Sequence, residues 1–366
     1  MWFYITVFSI SILLSWLSSR LDNKKIGNLI KILNFLFLVL ISGLRYGIGT
    51  DYNKVYLPFF IELKNNAIKN RMRSFEIGYV LINKIVIFLG GNFTWVCLIM
   101  SFLTIFFLYK GLNNYKNKSS FTLGLFFYLI MYYQKSFNLM RQMLAVSIVF
   151  FAIKFLKKDN FKYIILVILA SLFQRTVLIM LIIPLVQKIY ENKKYLVLQI
   201  SSFLLMVLAI LNFGKIGVFL EKLNMEYYSY YFNENVSTGI TINYFIRILP
   251  VILLGLIAYK KLKEDREMLL FYNLYVVGAI FMLLGYVTST YGERIAIYFM
   301  IYQIVLIPYL LQKICENKKN IKKMFVISFI LVINVYMWYN DFILNGREET
   351  IPYISIFDNQ KQGGFN

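Results

Sequence analysis

The segment GNLIKILNFLFLVLISGL (27–44), followed directly by RYGIGTDY (45–52), decides the fold class of this chain. Its first part contains a single charged residue, Lys31. As a helix it would be about 27 Å long, close to the ~30 Å thickness of a membrane's hydrocarbon core. The second part then places a cation, Arg45, and an anion, Asp51, where the apolar run stops. Polar groups at such a boundary usually bind a ligand or take part in catalysis.

The composition extends this interpretation to the whole chain. Of 366 residues, 59% are hydrophobic and 18% are aromatic, and the mean hydropathy is +0.64. We therefore predict an all-α, polytopic fold in a single integral membrane domain, residues 1–366, with about 10 to 12 transmembrane helices plus short re-entrant or interfacial helices. The stretch 2–19 has no basic region before it and no cleavage pattern after it, which favours a retained span over a signal peptide.

Ten segments are long and apolar enough to cross a membrane, and two more are ambiguous. Residues 75–91 are short and include the acid Glu76, while residues 161–189 are long but interrupted by the polar sequence QRT and by Pro184. The ten segments are 2–19, 27–44, 92–109, 119–134, 138–156, 195–212, 241–259, 267–286, 294–312 and 321–338.

The distribution of lysine predicts which side of the membrane each loop faces. All six Lys-rich loops can be cytoplasmic only if 75–91 is interfacial or re-entrant from outside and 161–189 is a hairpin of two half-helices that enters from inside. Both termini then lie outside, with the loops 45–74 and 213–240 and the tail 339–366. The six Lys-rich loops are 20–31, 110–118, 154–162, 187–194, 260–266 and 313–323.

Composition also excludes several functions. The net charge of +21 comes largely from lysines in short runs between apolar segments, as in loops that face anionic lipid, so nucleic acid is not the expected partner. The chain has two cysteines, Cys97 and Cys315, too few for a disulfide framework or a metal cluster. It has no histidine, which excludes a Ser-His-Asp triad and histidine-ligated zinc. We expect no metal and no cofactor, and a base drawn from Asp, Glu, Tyr, Lys or the substrate.

Arginine is distributed differently from lysine. Only two of the ten arginines lie in the six Lys-rich loops. Because a guanidinium binds a phosphate or carboxylate through two parallel hydrogen bonds, the outward arginines predict an oxyanion ligand. Arg141, Arg247 and Arg294 each lie near the outer amino end of a predicted span, where a cation opposes the helix dipole unless an anion is bound between them. Each could instead reach lipid headgroups or pair with a neighbouring acid.

The remaining charged candidates each have a structural alternative. Arg45, at the carboxyl end of its span, is favourably placed relative to the helix dipole. Arg175 would lie at the tip of the 161–189 hairpin, inside the membrane, unless that segment is two short spans with Arg175 at a surface.

Three acids are candidates for the general base, with Asp51 first and Glu76 and Glu293 behind it. Asp51 could instead cap a helix that begins at Tyr52, and Glu76 could lie in the first turn of a helix. Glu293 could be the ion-pair partner of Arg294. The outer loop 213–240 also contains YYSYYF (227–232), which suits either sugar rings or an aromatic belt at the interface.

Five short motifs follow one another along the chain: RYGIGTDY (45–52), FEIGY (75–79), NLMRQ (138–142), ER with YF (293–294 and 298–299) and PYISIF (352–357). Their order and spacing resemble those of the EpsG-like, Wzy-type polysaccharide polymerases over nearly the full chain. One position departs from that family. After ASLF (170–173) the family usually continues with His, whereas this chain has Gln174, which can hydrogen-bond but cannot accept a proton at neutral pH. The resemblance therefore implies an orienting role for Gln174.

The resemblance implies a metal-independent glycosyltransferase. Such an enzyme joins oligosaccharide repeat units carried on undecaprenyl diphosphate at the outer face of the bacterial cytoplasmic membrane, building O-antigen, capsule or exopolysaccharide. Its partners would be the lipid-linked donor and acceptor, membrane lipid and, as a further candidate, a chain-length regulator. A flippase for lipid-linked oligosaccharide and a glycan ligase with the same donor remain open. The expected substrate-binding residues are Arg45, Tyr52, Asn138, Arg141, Gln142, Gln174, Arg175, Arg247, Arg294 and Tyr298.

Overall fold

The computed structural model describes residues 1–66, 75–185, 187, 204, 242–287, 291–316 and 320–361. Within these ranges the chain is helical and contains no strand, apart from an isolated bridge between Arg45 and Ser355. The predicted all-α class is confirmed for this part of the chain. Two compact units are present, Met1–Leu178 with Asn334–Asn366, and Ile179–Ile333. The single membrane domain stays a prediction.

The first unit is a row of packed helices. Helix α2 packs between α1 and α5, and α8 packs between α5 and α9. The helices of this unit up to its C-terminal section are α1 Trp2–Arg20, α2 Lys24–Gly43, α3 Leu57–Lys64, α4 Ile77–Phe88, α5 Phe93–Asn114, α6 Phe121–Tyr128, α7 Lys135–Asn138, α8 Met140–Ala152 and α9 Asn160–Ser171.

Polar residues at the ends of the apolar runs fix where three of these helices begin. Asn23 Oδ1 accepts the backbone N–H groups of Lys25 and Ile26 at 3.0 and 3.3 Å. Ser120 and Asp159 accept first-turn N–H groups of α6 and α9 in the same way. Each cap satisfies donors that the first turn of a helix leaves unpaired. Helices α2, α6 and α9 therefore start at, or just after, Lys-rich loops.

Small residues let α2 and α5 approach each other closely. A Cβ atom on Gly43 would lie 2.9 Å from the Cα of Leu98, so a larger residue there would force the helices apart. The hydroxyl groups of Ser42 and Ser101 share a hydrogen bond of 2.8 Å between the same helices. Such contacts hold helices together in lipid, where burial of apolar surface contributes little free energy to helix association. The end of α2 that leads into Arg45 is therefore fixed in place.

The predicted spans 119–134 and 138–156 form one interrupted helical segment. Helix α6 continues into the π-helical turn Leu129–Tyr133 and then into α7. The segment breaks at Leu139, where ψ is 45°, before α8 begins. At the break, backbone N–H and C=O groups are no longer all paired within a helix. These polar groups therefore lie directly before the first turn of α8.

The two ambiguous segments contact each other. In 75–91, helix α4 has only 12 residues, so at about 18 Å it is too short to span alone. In 161–189, α9 ends and a 3₁₀ helix begins at Arg175 after a short turn, so the predicted interruption is present. The N–H of Gly78 donates to the carbonyl of Leu172 in that turn at 2.7 Å. Whether either segment re-enters the membrane stays a prediction.

The second unit contains a bent helix pair. The predicted span 294–312 is two helices, α13 and α14, bent by 50° at residues 301–302. Helix α15 begins in the second unit and ends in the first, and a π-helical turn, Tyr339–Leu344, follows it. The helices are α10 Ile242–Ile257, α11 Tyr259–Glu264, α12 Arg266–Val287, α13 Tyr291–Met300, α14 Gln303–Cys315 and α15 Asn320–Trp338, with the short α16 Ile356–Lys361 in the C-terminal tail.

The described residues contain fewer membrane-length helices than the number of spans predicted for the whole chain. Within the described ranges, five helices are long and apolar enough to cross a membrane, or six when the bent pair counts as one span. The predicted 10 to 12 spans are not confirmed, because several apolar segments are broken into helices of 8 to 16 residues. The five are Trp2–Arg20, Lys24–Gly43, Phe93–Asn114, Arg266–Leu283 and Lys322–Leu344.

Three sequence-based predictions lie outside the described residues. These are the predicted span 195–212, the aromatic sequence of the loop 213–240, and most of the Lys-rich loop 187–194.

Candidate functional site

The first and last motifs of the chain lie side by side in the first unit. Their backbones pair, with Tyr46 N–H donating to the Ile354 carbonyl at 2.9 Å and Ile356 N–H donating to the Leu44 carbonyl at 3.0 Å. The Tyr353 hydroxyl donates to the carbonyl of Ile41 in α2 at 2.9 Å. Segments about 300 residues apart in sequence therefore form one structural element.

Gly49 brings this element against the break between α7 and α8. Its φ is +99°, and a Cβ atom there would lie 3.2 Å from the Phe137 carbonyl oxygen. Its N–H donates to the Glu349 carbonyl at 3.2 Å. Both the backbone conformation and the close approach favour glycine. The first and third motifs are thus in contact at Gly49.

Arg45 is fully buried at the centre of this contact. Its Nη1 donates to the carbonyl of Ser42, and its Nη2 donates to the carbonyl of Phe137 at 3.0 Å. The guanidinium carbon lies 5.1 Å from the centre of the Phe137 ring. Its Nε has no hydrogen-bond partner among the described residues, and no acid there forms an ion pair with Arg45. Arg45 therefore ties α2 to the α7–α8 break while retaining an unpaired donor and a positive charge.

Asn138 joins the first motif to the C-terminal tail. Its Oδ1 accepts the backbone N–H of Asp51 at 2.7 Å, and its Nδ2 donates to the carboxylate of Glu348. Asp51 precedes the π-helical turn Tyr52–Tyr56, and its side chain makes no capping hydrogen bond. Asp51 therefore occupies the N-cap position that the alternative predicted, but its side chain does not make the capping hydrogen bond. Asn138 holds Asp51 through its backbone, which leaves the carboxylate to other interactions.

Glu348 is a site residue that sequence reasoning missed. Its φ is +67°, and that of Glu349 is +47°, both in the left-handed region that costs a non-glycine residue about 1 kcal/mol or more. Such strain persists where the surrounding structure holds it, as the contact with Asn138 does here. The signal available in the sequence was an acidic pair directly before the last motif.

The sequence analysis also did not predict the buried polar residues that contact this tail. Gln134 is fully buried; its Nε2 donates to Thr350 Oγ1 at 2.8 Å, and its Oε1 accepts from Trp338 Nε1 at 2.5 Å. The Tyr4 hydroxyl donates to the Thr350 carbonyl at 2.8 Å. No sequence pattern links these positions, which are up to 346 residues apart. Together they fix the tail over the α6–α7 segment.

The second and third motifs meet in an ion pair between Glu76 and Arg141. Arg141 lies in the first turn of α8, as predicted, and its Nη1 contacts Glu76 Oε2. The other carboxylate oxygen of Glu76 accepts the backbone N–H of Arg175 at 3.2 Å. Glu76 is 4% exposed and the Arg141 side chain is 13% exposed. Of the alternatives for Arg141, pairing with a neighbouring acid is present.

The Arg141 guanidinium lies in an aromatic cluster formed by α4 and by residues between α2 and α4. Its carbon is 4.6 Å from the centre of the Phe75 ring and 5.9 Å from those of Tyr56 and Tyr79. Phe59 stacks on Phe75 with a centroid distance of 4.0 Å. The Nε of Arg141 is buried without a hydrogen-bond partner in the described part of the chain. The cluster therefore holds a cation in a fixed orientation with one donor unused.

Four other predicted residues of the first unit lie around these contacts. Tyr52 is 2% exposed and packs edge-on against Phe93 at 5.1 Å between ring centres. Gln142 is buried in the first turn of α8. Gln174 is half-buried in the turn after α9, and Arg175, which follows it, is exposed. Glu76 reaches this turn only through the Arg175 backbone, so the exposed Arg175 side chain is not part of the ion pair.

The remaining predicted residues belong to the second unit. Arg247 lies in the second turn of α10, and Glu293 and Arg294 lie in the first turn of α13, as predicted. Tyr298 is buried. A Cβ on Gly285 would lie 2.6 Å from the Glu293 backbone nitrogen, so glycine allows α12 and the start of α13 to touch.

Metal ligands are not grouped in the parts of the chain that the structure covers. No three His, Cys, Asp or Glu side chains there lie close enough together to hold a metal ion. The expectation of metal-free chemistry stays a prediction.

Fold and site together define a class of protein. The chain is a membrane protein whose described residues are all-helical, and a buried polar cluster lies at breaks in these helices. Membrane proteins use this arrangement for polar or ionic ligands.

The chain belongs to the EpsG family, whose model matches residues 28–355. EpsG is a Wzy-like, polymerase-type family, so the predicted resemblance is confirmed. Family membership gives the chain a glycosyltransferase-like role in polysaccharide biosynthesis. No curated protein and no solved structure matches the chain.

Proposed function

We propose that this protein is a polymerase that joins oligosaccharide repeat units carried on undecaprenyl diphosphate at the outer face of the cytoplasmic membrane. The observation that carries the proposal is the contact of the third motif with the first motif, the second motif and the C-terminal tail. Asn138 contacts the Asp51 backbone and the Glu348 carboxylate, and Arg141 contacts Glu76. Arg45 and Arg141 each keep an Nε without a hydrogen-bond partner among the described residues. A diphosphate leaving group and an attacking hydroxyl need cations and a carboxylate in that combination.

In the proposed reaction, a sugar hydroxyl of the acceptor attacks the anomeric carbon of the donor. The bond from that carbon to the diphosphate oxygen breaks, and the lipid diphosphate leaves with both bonding electrons. Guanidinium groups of Arg45 and Arg141 stabilise the charge that develops on the diphosphate. Arg247 and Arg294, in the second unit, stay predicted diphosphate-binding residues. Asp51 accepts the hydroxyl proton.

Glu76 has a different role from the one its sequence position predicted. Both of its carboxylate oxygens are engaged, one by Arg141 and the other by the Arg175 N–H. We therefore assign Glu76 to positioning Arg141, which leaves Asp51 as the first candidate for the base. Tyr52, Gln142, Gln174 and Tyr298 are proposed to contact the sugars or the diphosphate.

The experiment that tests this function uses the purified protein, a synthetic lipid-diphosphate repeat unit and a metal chelator. We expect a ladder of products and release of lipid diphosphate. Movement of the repeat unit across a vesicle membrane with no ladder would identify a flippase instead. Transfer of the unit only to an added acceptor of another type would identify a ligase.

Arginine geometry can be tested separately from charge. Arg141→Lys and Arg294→Lys keep the charge but lose the fork of paired donors, so we expect each to lower the polymerisation rate about 10²- to 10³-fold. Arg20→Lys, at the far end of α1 beside Trp16, is the matched control and should keep full activity. Activity close to that of the unmodified protein in both site variants would exclude bidentate binding of the diphosphate.

A further inference from the structure

A cavity lies between α2 and α5, in the parts of these helices away from Arg45. Its volume is about 620 Å³, which is within the size range of small-molecule sites. Its walls are apolar and largely aromatic, and several of these side chains face outward: Ile32 is 54%, Phe102 44% and Leu36 42% exposed. The apolar wall residues are Ile32, Phe35, Leu36, Phe102, Phe106 and Tyr109. We call this cavity the α2–α5 groove.

One end of the groove is basic. Lys31, from α2, donates to Asn113 Oδ1 at 3.0 Å, and its ammonium lies 3.8 Å from the centre of the Phe121 ring. Lys110, from α5, lies 5.5 Å from the centre of the Phe106 ring. Both lysines line the groove. Two ammonium groups therefore stand at the mouth of an apolar slot.

No acid balances these charges in the part of the chain that the structure describes. Neither Lys31 nor Lys110 forms an ion pair there, whereas Lys162 and Lys313, on other loops, do. A third lysine adds to the excess, since Lys154 donates to Asn114 Oδ1, at the end of α5, at 3.3 Å. Such an excess at a helix end attracts an anion.

The groove is separate from the candidate functional site. Lys31 and Arg45 are 14 positions apart along α2 and its end, which corresponds to about 21 Å. Lys31 is the eighth of the 20 residues of α2 and Arg45 lies just after its end, so more than half of the helix separates the two basic groups.

We propose that the α2–α5 groove binds an anionic diacyl phospholipid. The phosphate of its headgroup is held by Lys31 and Lys110, and one acyl chain lies along the aromatic wall. The apolar slot would add no binding free energy for a soluble anion. The two unbalanced lysines would add little binding free energy for a zwitterionic lipid. Basic grooves between membrane helices on the cytoplasmic side are typical sites for acidic lipids, and the Lys-rich loops predict that side here.

The charge of the groove is tested with the full-length protein in a neutral detergent. Binding of phosphatidylglycerol and of phosphatidylcholine is compared by mass spectrometry of the intact complex. We expect one phosphatidylglycerol to be retained and Lys31→Gln with Lys110→Gln to weaken its binding at least about tenfold. The matched control is Lys24→Gln with Lys25→Gln, which removes the same charge from the start of α2 outside the groove. The control should bind as the unmodified protein does.

A second variant fills the slot without changing charge. Leu36→Trp replaces a side chain that is 42% exposed, so the helix packing should persist, which thermal unfolding checks. We expect loss of phosphatidylglycerol binding of similar size. Inorganic phosphate at millimolar concentration should not displace the lipid, because it lacks the acyl chain.

Three outcomes overturn the proposal. The control pair weakening binding as much as the groove pair would show attraction to the general surface charge. Equal retention of phosphatidylcholine would show that the lysines do not select the ligand. Unchanged binding in Leu36→Trp would show that the slot is not occupied. None of these readouts depends on polymer formation, so a failed polymerase assay leaves the test intact.

Discussion

Glu76→Ala should destabilise the protein by about 3 to 5 kcal/mol, the usual cost of removing one partner from a buried ion pair. The substitution leaves the Arg141 guanidinium, whose side chain is 13% exposed, without its carboxylate. It also removes the acceptor of the Arg175 N–H, which connects α4 to the turn after α9. Thermal or denaturant unfolding in detergent measures the loss.

Removing both charges at once separates packing from catalysis. Glu76→Gln combined with Arg141→Gln leaves no buried unpaired charge, so we expect it to recover most of the stability lost in Glu76→Gln alone. Polymerisation should not recover, because the proposed diphosphate contact of Arg141 is absent. If both stability and activity return, the ion pair serves only the fold, and Arg141 does not contact the diphosphate.

A surface pair provides the matched control for this cycle. Lys313 Nζ lies 2.6 Å from Glu316 Oε1, shorter than many ion pairs, yet both side chains are accessible to solvent. Exposed pairs contribute about 0 to 1 kcal/mol, so Glu316→Gln should barely change the unfolding transition. The contrast with Glu76 would show that burial, and not the number of ion pairs, determines how much stability is lost when one partner of an ion pair is removed.

The sequence predicted individual elements well where a local signal exists. The ends of α2 and α8, the position of Arg141 in a first turn and the break near Gln174 follow from apolar runs and interrupting polar residues. These features depend on residues that are close together in sequence, so periodicity and charge report them.

The contacts between motifs could not be predicted in the same way. Glu348 binds Asn138 across 210 positions, and Gln134 binds Thr350 across 216. Such pairs depend on how the tail folds back, which a single sequence does not encode as a local pattern. The predicted base role of Glu76 is weakened for the same reason, because both of its partners come from distant segments.

The predicted span count is not confirmed among the described residues, and the physical reason is a different one. An apolar segment of membrane length was taken as one helix, but the segment from α6 to α8 breaks at Leu139, and 294–312 bends by 50°. Irregular backbone within an apolar region is tolerated where protein covers it, and Asn138 is 7% exposed. The break at Leu139 is thus both a reason why the count is not confirmed and a place where the candidate site is built.

Asp51→Asn should lower the polymerisation rate about 10²- to 10⁴-fold while leaving the unfolding transition unchanged. The backbone N–H of Asp51 donates to Asn138, and asparagine keeps this bond; the Asp51 side chain makes no capping hydrogen bond that the substitution could remove. Asparagine is nearly isosteric and keeps the hydrogen-bonding capacity, but it cannot accept the hydroxyl proton. The measurement is the rate of ladder formation at saturating donor, beside thermal unfolding of the same preparation.

Glu348→Gln is the control that gives this result its meaning. Glu348 lies in the same site, and its glutamine variant can still accept the hydrogen bond from Asn138, so a loss of charge there should have a smaller effect on rate. A large rate loss in Glu348→Gln with near-normal activity in Asp51→Asn would transfer the base role to Glu348. If Asp51→Asn lowers the rate and the unfolding temperature together, Asp51 supports the fold of the motif, and the proton must be accepted elsewhere.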